Sequence, residues 1–192
     1  KEGRDTDVLN AALFPGSIGE VHQFVFRDVA SGETSAADLT SQEITSTPVQ
    51  SVKAIPSGDN KVGYLLFNDH IATAEAQLIE AFEGFKTQGI TELVLDMRYN
   101  GGGYLDIARM LASMVAGEEA VGQTFSELKF NSKYPTQNPI TGRTLSPSRF
   151  ASTAPGFVVS SETDLPLLNL NRVVVISGSG TCSASEAVIN GL

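Results

Sequence analysis

The chain has little of several residue types on which common protein sites depend. Its 192 residues include one cysteine, two histidines and no tryptophan. A single cysteine excludes an internal disulfide and any metal site built from several cysteines, and it leaves the redox compartment undecided. Acidic residues outnumber basic ones by 22 to 13, and no basic cluster occurs, which argues against nucleic acid as a partner. The chain has no apolar run of about 18 residues, so no membrane span is predicted.

The apolar content, 41% of the residues, is enough for one core with a small appendage. No metal-ligand spacing and no internal repeat occur, so neither a cofactor nor a metal is predicted. From residue 62 onward, apolar strand patterns alternate with helical ones, which indicates an α/β fold with a parallel sheet covered on its faces. Residues 1–50 have too few apolar positions for an independent core, and a stretch rich in Ser, Thr and Pro predicts a linker at 51–60.

A junction between an apolar strand and a helix near the end of the chain is the most informative feature. Residues 173–176 are branched and apolar, and the sequence GTCSASE follows at 180–186. A serine at a helix N-terminus lies beside unpaired N–H groups and a partial positive charge, as a nucleophile that generates an oxyanion requires. The same residues match a capping box, with Ser183 at the N-cap and Glu186 at N3. Both interpretations of Ser183 are open at this point.

A second junction of the same kind contains three consecutive glycines at 101–103, between an apolar strand at 93–95 and a helical pattern that starts at Tyr104. Glycines there allow positive φ and the close approach of another segment. A dinucleotide or phosphate loop does not fit, because Asp106 stands where the third glycine of G-x-G-x-x-G belongs and no lysine follows. A plain tight turn is the alternative to a functional loop.

A cysteine nucleophile and a histidine base are two alternatives that the residues near these junctions raise. Cys182 precedes Ser183, but we expect its side chain to point away from the serine and to act as a small buried apolar group. A Ser-His-Asp site would need His22 or His70 beside the serine, and we expect His70 to be a loop or cap residue. The elbow motif of the α/β-hydrolases, G-x-S-x-G, is not present around Ser183.

Three segments resemble one protein family. Residues 95–103 (LDMRYNGGG) look like the D-L-R-x-N-x-G-G segment of the S41 serine peptidases, the tail-specific or C-terminal processing proteases. Residues 173–192, with SASE at 183–186, resemble the nucleophile segment of that family. Residues 63–67 (GYLLF) resemble the strand that opens its catalytic domain. The three segments occur in the order of the family, and the resemblance covers about residues 60–192.

The resemblance implies a role for four residues. Ser183 matches the nucleophile, and the N–H groups of Gly103 and Ala184 match the two oxyanion-hole donors. Glu186 matches an acidic residue beside the catalytic lysine, which in the family follows the nucleophile helix and is expected beyond Leu192. The implied fold is a β/α spiral related to crotonase and the Clp protease over residues 61–192, with part of a PDZ-like module at 1–50.

The implied function is that of a serine endopeptidase of the C-terminal processing type, which cleaves unstructured or C-terminal protein segments through a Ser–Lys acyl-enzyme mechanism. The implied location is periplasmic or in the cell envelope of a bacterium. Two alternatives are open: an inactive peptide-binding scaffold of the same fold, and a crotonase-like enzyme that acts on acyl groups. A lysine placed to reach Ser183 would favour the peptidase, and its absence would favour the scaffold.

Overall fold

A computed structural model describes residues 6–170 and 172–192. The chain divides into two units, residues 1–45 and 46–192. In the first unit, helix α1 (Thr6–Leu13) precedes a hairpin of two antiparallel strands, β1 (Val21–Arg27) and β2 (Thr34–Thr40). The sequence pattern predicts a helix at 8–14 and strands at 21–26 and 39–44. Helix α1 and strand β1 lie close to these bounds, whereas β2 begins five residues earlier than predicted.

The second unit is built on a mixed four-stranded sheet in the order β3-β4-β5-β8. Strands β4 (Asn60–Phe67), β5 (Glu92–Asp96) and β8 (Arg172–Ile176) are mutually parallel, as their apolar runs predict. Their register aligns Leu66 with Asp96 and Asp96 with Ile176. The three parallel strands therefore end at the same edge of the sheet, and the segments that follow them are neighbours.

The predicted linker at 51–60 is wrong as a description of secondary structure. Strand β3 (Val49–Ser57) occupies most of it and pairs antiparallel with β4 across a hairpin. Most β3 residues are exposed, so the strand lacks the apolar run that marks β4 and β5, and only its backbone pairing reveals it. Pro56 is accommodated because β3 lies at the sheet edge, where a missing N–H costs little.

Three helices cover the sheet and form the hydrophobic core with it. Helices α2 (Ala74–Gln88), α3 (Leu105–Ala116) and α4 (Ala184–Gly191) bury their apolar stripes against it. Phe67, Phe82 and Phe85 are fully buried there, and each such side chain contributes about 1.5–3 kcal/mol to folding. Among the described residues, no helix combines the length and the apolarity needed to cross a bilayer.

The segment between α3 and β8 is mostly irregular, as the weak sequence pattern predicts. It contains a short 3₁₀ helix (Glu118–Ala120) and two short antiparallel strands, β6 (Thr124–Ser126) and β7 (Ser148–Arg149). The alternating pattern at 125–130 predicts a strand, but β6 is only three residues long and begins one residue earlier. The second unit thus has an α/β fold with a mixed sheet, in which the segments of chemical interest leave β4, β5 and β8 at one edge.

Candidate active site

The loop after β8 is joined to the glycine loop after β5 by three side chains. The Thr181 hydroxyl donates to the carbonyl of Met97 at 2.8 Å, and the Cys182 thiol donates to that of Gly101 at 3.0 Å. The buried Ser185 hydroxyl donates to the carbonyl of Asn100 at 3.1 Å. Thr181, Cys182 and Ser185 therefore align the two loops along their length, which explains why small hydroxyl and thiol side chains surround Ser183.

Ser183 is exposed and has a strained backbone conformation, with φ +57° and ψ −120°. For a residue with a Cβ atom, such a conformation costs about 1–3 kcal/mol and is maintained only by the surrounding structure. An ordinary N-cap residue has negative φ in the β region, so capping does not require this conformation. Strain of this kind is typical of the turn that presents a nucleophilic serine. The backbone therefore resembles a nucleophile elbow, although the G-x-S-x-G motif is not present.

Glu186 is exposed and is engaged by the backbone of the serine. Its Oε2 accepts a hydrogen bond from the N–H of Ser183 at 3.2 Å, which is one half of the predicted capping box. Ala184 is buried and opens α4, so its N–H has no acceptor within the helix. The cap and nucleophile interpretations are thus compatible, since Ser183 forms a capping box with Glu186 and is also an exposed residue.

Gly102 brings the two predicted junctions into direct contact. A Cβ atom added to Gly102 would lie 2.7 Å from Cβ of Ser183 and 3.0 Å from the nitrogen of Ala184. Gly102 also has φ +110°, so only glycine allows both the backbone conformation and the approach. The next residue, Gly103, has φ +132° and forms an isolated parallel β-bridge with His70. The sequence-predicted residues Ser183, Ala184 and Gly103 therefore lie at one edge of the sheet, on adjoining loops.

A buried carboxylate at the end of β5, bound by two neighbouring side chains, supports the start of the glycine loop. Asp96 is fully buried and accepts hydrogen bonds from the Tyr64 hydroxyl at 2.8 Å and from the Arg98 guanidinium at 2.7 Å. The Arg98 hydrogen bonds hold the pKa of Asp96 below its ordinary value, although burial opposes this. The same carboxylate raises the pKa of Tyr64. The aspartate and arginine of the segment LDMRYNGGG are thus structural, because they clamp the start of the loop.

One of the sequence expectations about neighbouring residues is wrong. His70 lies in the loop between β4 and α2, as expected, but it is fully buried there, and its Nδ1 lies 2.9 Å from Oδ1 of Asn100. Burial lowers the pKa of His70, against the opposing effects of Asn100 and the charge of Asp69. Cys182 is exposed rather than buried, because its thiol reaches across to the glycine loop. Neither histidine forms a hydrogen bond with Ser183 among the described contacts.

A buried glutamate that the sequence analysis does not single out holds the irregular segment next to the site. The carboxylate of Glu75, on α2, accepts hydrogen bonds from four successive backbone N–H groups at 156–159, at 2.5 to 3.0 Å. This contact holds Phe157 near Tyr104, the residue after Gly103, and the two ring centroids are 4.8 Å apart. Both rings are partly exposed, so they form an aromatic surface beside the glycine loop. A signal was available, since Glu75 lies three residues before Leu78, on the core face of α2.

In the described part of the chain, no cluster of three or more His, Cys, Asp or Glu side chains is placed to hold a metal ion. A cavity of about 380 Å³ lies within residues 127–147, but none of the predicted site residues lines it. The groups that the two loops present at the sheet edge are a serine hydroxyl and backbone N–H groups.

Comparisons with known proteins agree with this chemistry. The sequence profile of peptidase family S41 matches residues 61–192. A carboxyl-terminal-processing protease of Picosynechococcus sp. is 26% identical over 114 residues, which are 59% of this chain and 27% of that protein.

Two solved structures share the architecture. A protein of Bacteroides fragilis assigned to the S41 proteases superposes with a TM-score of 0.62 at 28% identity, over 91% of this chain and 45% of its own. A photosystem II D1 C-terminal processing protease superposes with a TM-score of 0.53 at 22% identity, over 92% of this chain and 42% of its own, and shows the fold alone. The chain thus spans less than half of each relative.

The family match covers more than half of the chain, and it contains both loops that meet at Ser183 and Gly102. On this basis the chain belongs to peptidase family S41, a family of serine peptidases.

Proposed function

We propose that this chain carries the nucleophile and the oxyanion hole of a serine endopeptidase of the C-terminal processing type. Its substrates are unstructured or C-terminal segments of proteins, and its location is the periplasm or cell envelope of a bacterium. The observation that carries the proposal is the conformation of Ser183: a strained, exposed serine at a helix N-terminus, packed against Gly102. A residue that served only as a cap would relax to negative φ.

In the proposed reaction, the Ser183 hydroxyl loses its proton to a general base while its oxygen attacks the carbonyl carbon of the scissile peptide bond. The N–H groups of Gly103 and Ala184 donate to the resulting oxyanion. The C–N bond then breaks, the base returns the proton to the leaving amine, and an acyl ester remains on Ser183. Water, activated by the same base, hydrolyses that ester and restores the serine.

We propose a neutral lysine outside these 192 residues as the base, in line with the family resemblance. Among the described contacts, no lysine of this chain forms a hydrogen bond or ion pair with Ser183 or Glu186. Glu186 uses Oε2 to accept from the backbone of Ser183, so its second oxygen is the one placed to orient the lysine. We further propose that residues 61–192 form the β/α spiral of crotonase and the Clp protease, after a partial PDZ-like module at 1–50.

The test is Ser183→Ala in the full-length protein that contains this chain, assayed on an unfolded protein substrate. Loss of a nucleophile in a coupled site typically lowers turnover on the order of 10⁶-fold, whereas loss of a cap lowers stability by only about 1 kcal/mol. Ser179→Ala is the matched control, because Ser179 is an exposed serine of the same loop. Near-normal proteolysis by the Ser183 variant would refute the proposal and leave Ser183 as a cap.

A further inference from the structure

His70 occupies an unusual place for a histidine outside the predicted catalytic set. It lies three residues after β4, is fully buried, and packs edge-on against Phe67 with ring centroids 4.6 Å apart. Its Nδ1 faces Asn100, and its buried Nε2 has no hydrogen-bond partner among the described residues. A buried polar atom without a partner is costly, so the position of this ring needs a reason beyond packing.

Asn100 defines the protonation state of the ring. Its Nδ2 donates to the carbonyl of Phe67 at 3.0 Å, and its Oδ1 accepts from the N–H of Gly102 at 3.0 Å. These two backbone partners orient the amide, so the atom that faces His70 is the acceptor Oδ1. The ring must then donate through Nδ1–H, and a second proton on Nε2 would be buried without an acceptor. His70 is therefore the neutral Nδ1–H tautomer.

The backbone of His70 holds the peptide that joins Gly102 to Gly103. The N–H of His70 donates to the carbonyl of Gly102 at 3.1 Å, and the N–H of Tyr104 donates to the carbonyl of His70 at 2.7 Å. In a trans peptide the C=O and the following N–H point in opposite directions. With the Gly102 carbonyl directed toward His70, the N–H of Gly103 is directed away from it.

Other segments pack closely against both sides of this peptide. A Cβ atom on Gly103 would lie 2.4 Å from the carbonyl oxygen of His70, and one on Gly102 would lie 2.7 Å from Cβ of Ser183. The peptide is thus enclosed between His70 on one side and the serine loop on the other. Asn100 secures it further, because its side chain accepts from Gly102 and its own carbonyl accepts from Ser185.

We propose that His70 and Asn100 are positioning residues that preorganise the Gly102–Gly103 peptide so that the N–H of Gly103 donates to the oxyanion. This inference rests on the proposed function, since it concerns the reaction at Ser183. Neither residue touches the reacting atoms. The imidazole helps the two backbone partners to hold the Asn100 amide, the amide and the His70 backbone orient the peptide, and the peptide stabilises the transition state. Preorganisation of this kind acts on the transition state more than on substrate binding.

The experiment compares two replacements of His70 in the full-length protein, assayed on a peptide that the wild type cleaves. His70→Asn keeps an N–H donor at the place of Nδ1, whereas His70→Leu removes the donor and keeps an apolar side chain. We expect the leucine variant to lose about 10²–10³ in kcat, the effect of losing one oxyanion donor, with KM changed less than about twofold. The asparagine variant should recover to within about tenfold of the wild type. His22→Leu is the control and should retain full activity.

A second readout separates positioning from general structural damage. A peptide aldehyde forms a tetrahedral adduct with the serine, so its affinity should fall in the leucine variant by the same factor as kcat. The affinity of the cleaved product peptide should not change. If the leucine variant does not fold, His70→Gln replaces it, because its amide lies one bond further out and should also lower kcat. Imidazole nitrogen NMR shifts of the wild type should place the proton on Nδ1.

The possible results are distinguishable from failure of the proposed function. If the wild type cleaves peptides through Ser183 but His70→Leu leaves kcat unchanged, the positioning inference is overturned and the proposed function stands. If His70→Leu and His70→Asn both match Ser183→Ala in activity, His70 acts as the base and the inference is also overturned. A proton found on Nε2 would contradict it independently of activity. If neither the wild type nor Ser183→Ala cleaves peptides, the proposed function fails and the inference fails with it.

Discussion

The contact between Glu75 and residues 156–159 offers the sharpest test of how the second unit is held together. Glu75→Gln replaces a carboxylate by an amide of the same shape. In the wild type, Oε1 accepts from the N–H groups of Gly156 and Phe157, and Oε2 accepts from those of Val158 and Val159. In the variant one oxygen becomes an NH₂ group, which is a donor and faces two other donors. Two of the four hydrogen bonds are therefore lost.

The size of the effect follows from the charge and burial of these groups. Hydrogen bonds to a charged partner contribute about 1.5–3 kcal/mol each, so two lost bonds correspond to roughly 3–6 kcal/mol. Residues 156–158 are exposed, however, and their freed N–H groups can bond to water once the segment moves away. We therefore expect the free energy of unfolding to fall by about 3 kcal/mol, the lower end of that range.

The effect also has a defined dependence on pH. Burial raises the pKa of Glu75, but the four N–H donors together outweigh burial, so the folded pKa lies below the ordinary value of 4.5. A carboxylate with a lowered folded pKa binds a proton more readily in the unfolded state. Its stabilising contribution is complete above the unfolded value and is lost as pH falls through the folded one. The difference between wild type and Glu75→Gln should hence shrink below about pH 4.5.

Urea unfolding followed by circular dichroism measures the stability, and amide hydrogen exchange locates the change. In Glu75→Gln, the amides of residues 156–159 should lose protection while those of β4 and β5 keep it. Glu83→Gln, an exposed glutamate on the same helix, should change stability by less than about 0.5 kcal/mol. Equal stability and equal protection in Glu75→Gln and the wild type would refute the view that this carboxylate anchors the segment.

Two further substitutions test the packing of the site. Gly102→Ala should lower kcat/KM at least 100-fold, because the added Cβ meets Ser183 at 2.7 Å with φ at +110°. Gly101→Ala, whose Cβ would have its nearest neighbour at 3.9 Å, should stay active, and equal losses in the two variants would contradict the packing argument. Asp96→Asn should lower the free energy of unfolding by about 2 kcal/mol, because a buried charge pair with half-exposed Arg98 is broken. The control is Asp106→Asn, which removes an exposed ion pair with Arg109 and should change the free energy of unfolding by less than about 0.5 kcal/mol. If the Asp96 variant had the urea midpoint of the wild type, Asp96 would not stabilise the glycine loop as argued.

The sequence alone determined which segments form the parallel strands, the helices and the two loops of the candidate site. Residues 93–95 and 173–176 are apolar runs of strand length, and each is followed by a loop and a helical stripe. These are local patterns, because the side chains that produce them are neighbours in sequence. Parallel strands also end at a common edge, so the proximity of Gly102 and Ser183 follows from topology once the strands are identified.

The tertiary structure decided the features that depend on residues far apart in the chain. Strand β3 is exposed and shows no apolar periodicity, so only its pairing with β4 identifies it. The sequence predicts His70 in a loop but does not indicate its full burial beside Asn100, 30 residues later. In the sequence, Glu75 is one polar residue of an amphipathic helix, and only the folded structure brings the four N–H donors of residues 156–159 to its carboxylate.

The conformation of Ser183 also depends on residues far apart in the chain. Nothing in the residues around it requires φ to be positive, and the capping pattern by itself favours the opposite sign. The strain persists because Thr181, Cys182 and Ser185 bond to carbonyls of another loop about 85 residues away in sequence. Local propensity specifies strands, turns and caps, whereas a strained or buried polar group exists only when distant segments supply its partners. For this reason the sequence predicts the strands, loops and helices that form the site, but it does not predict the geometry of the site.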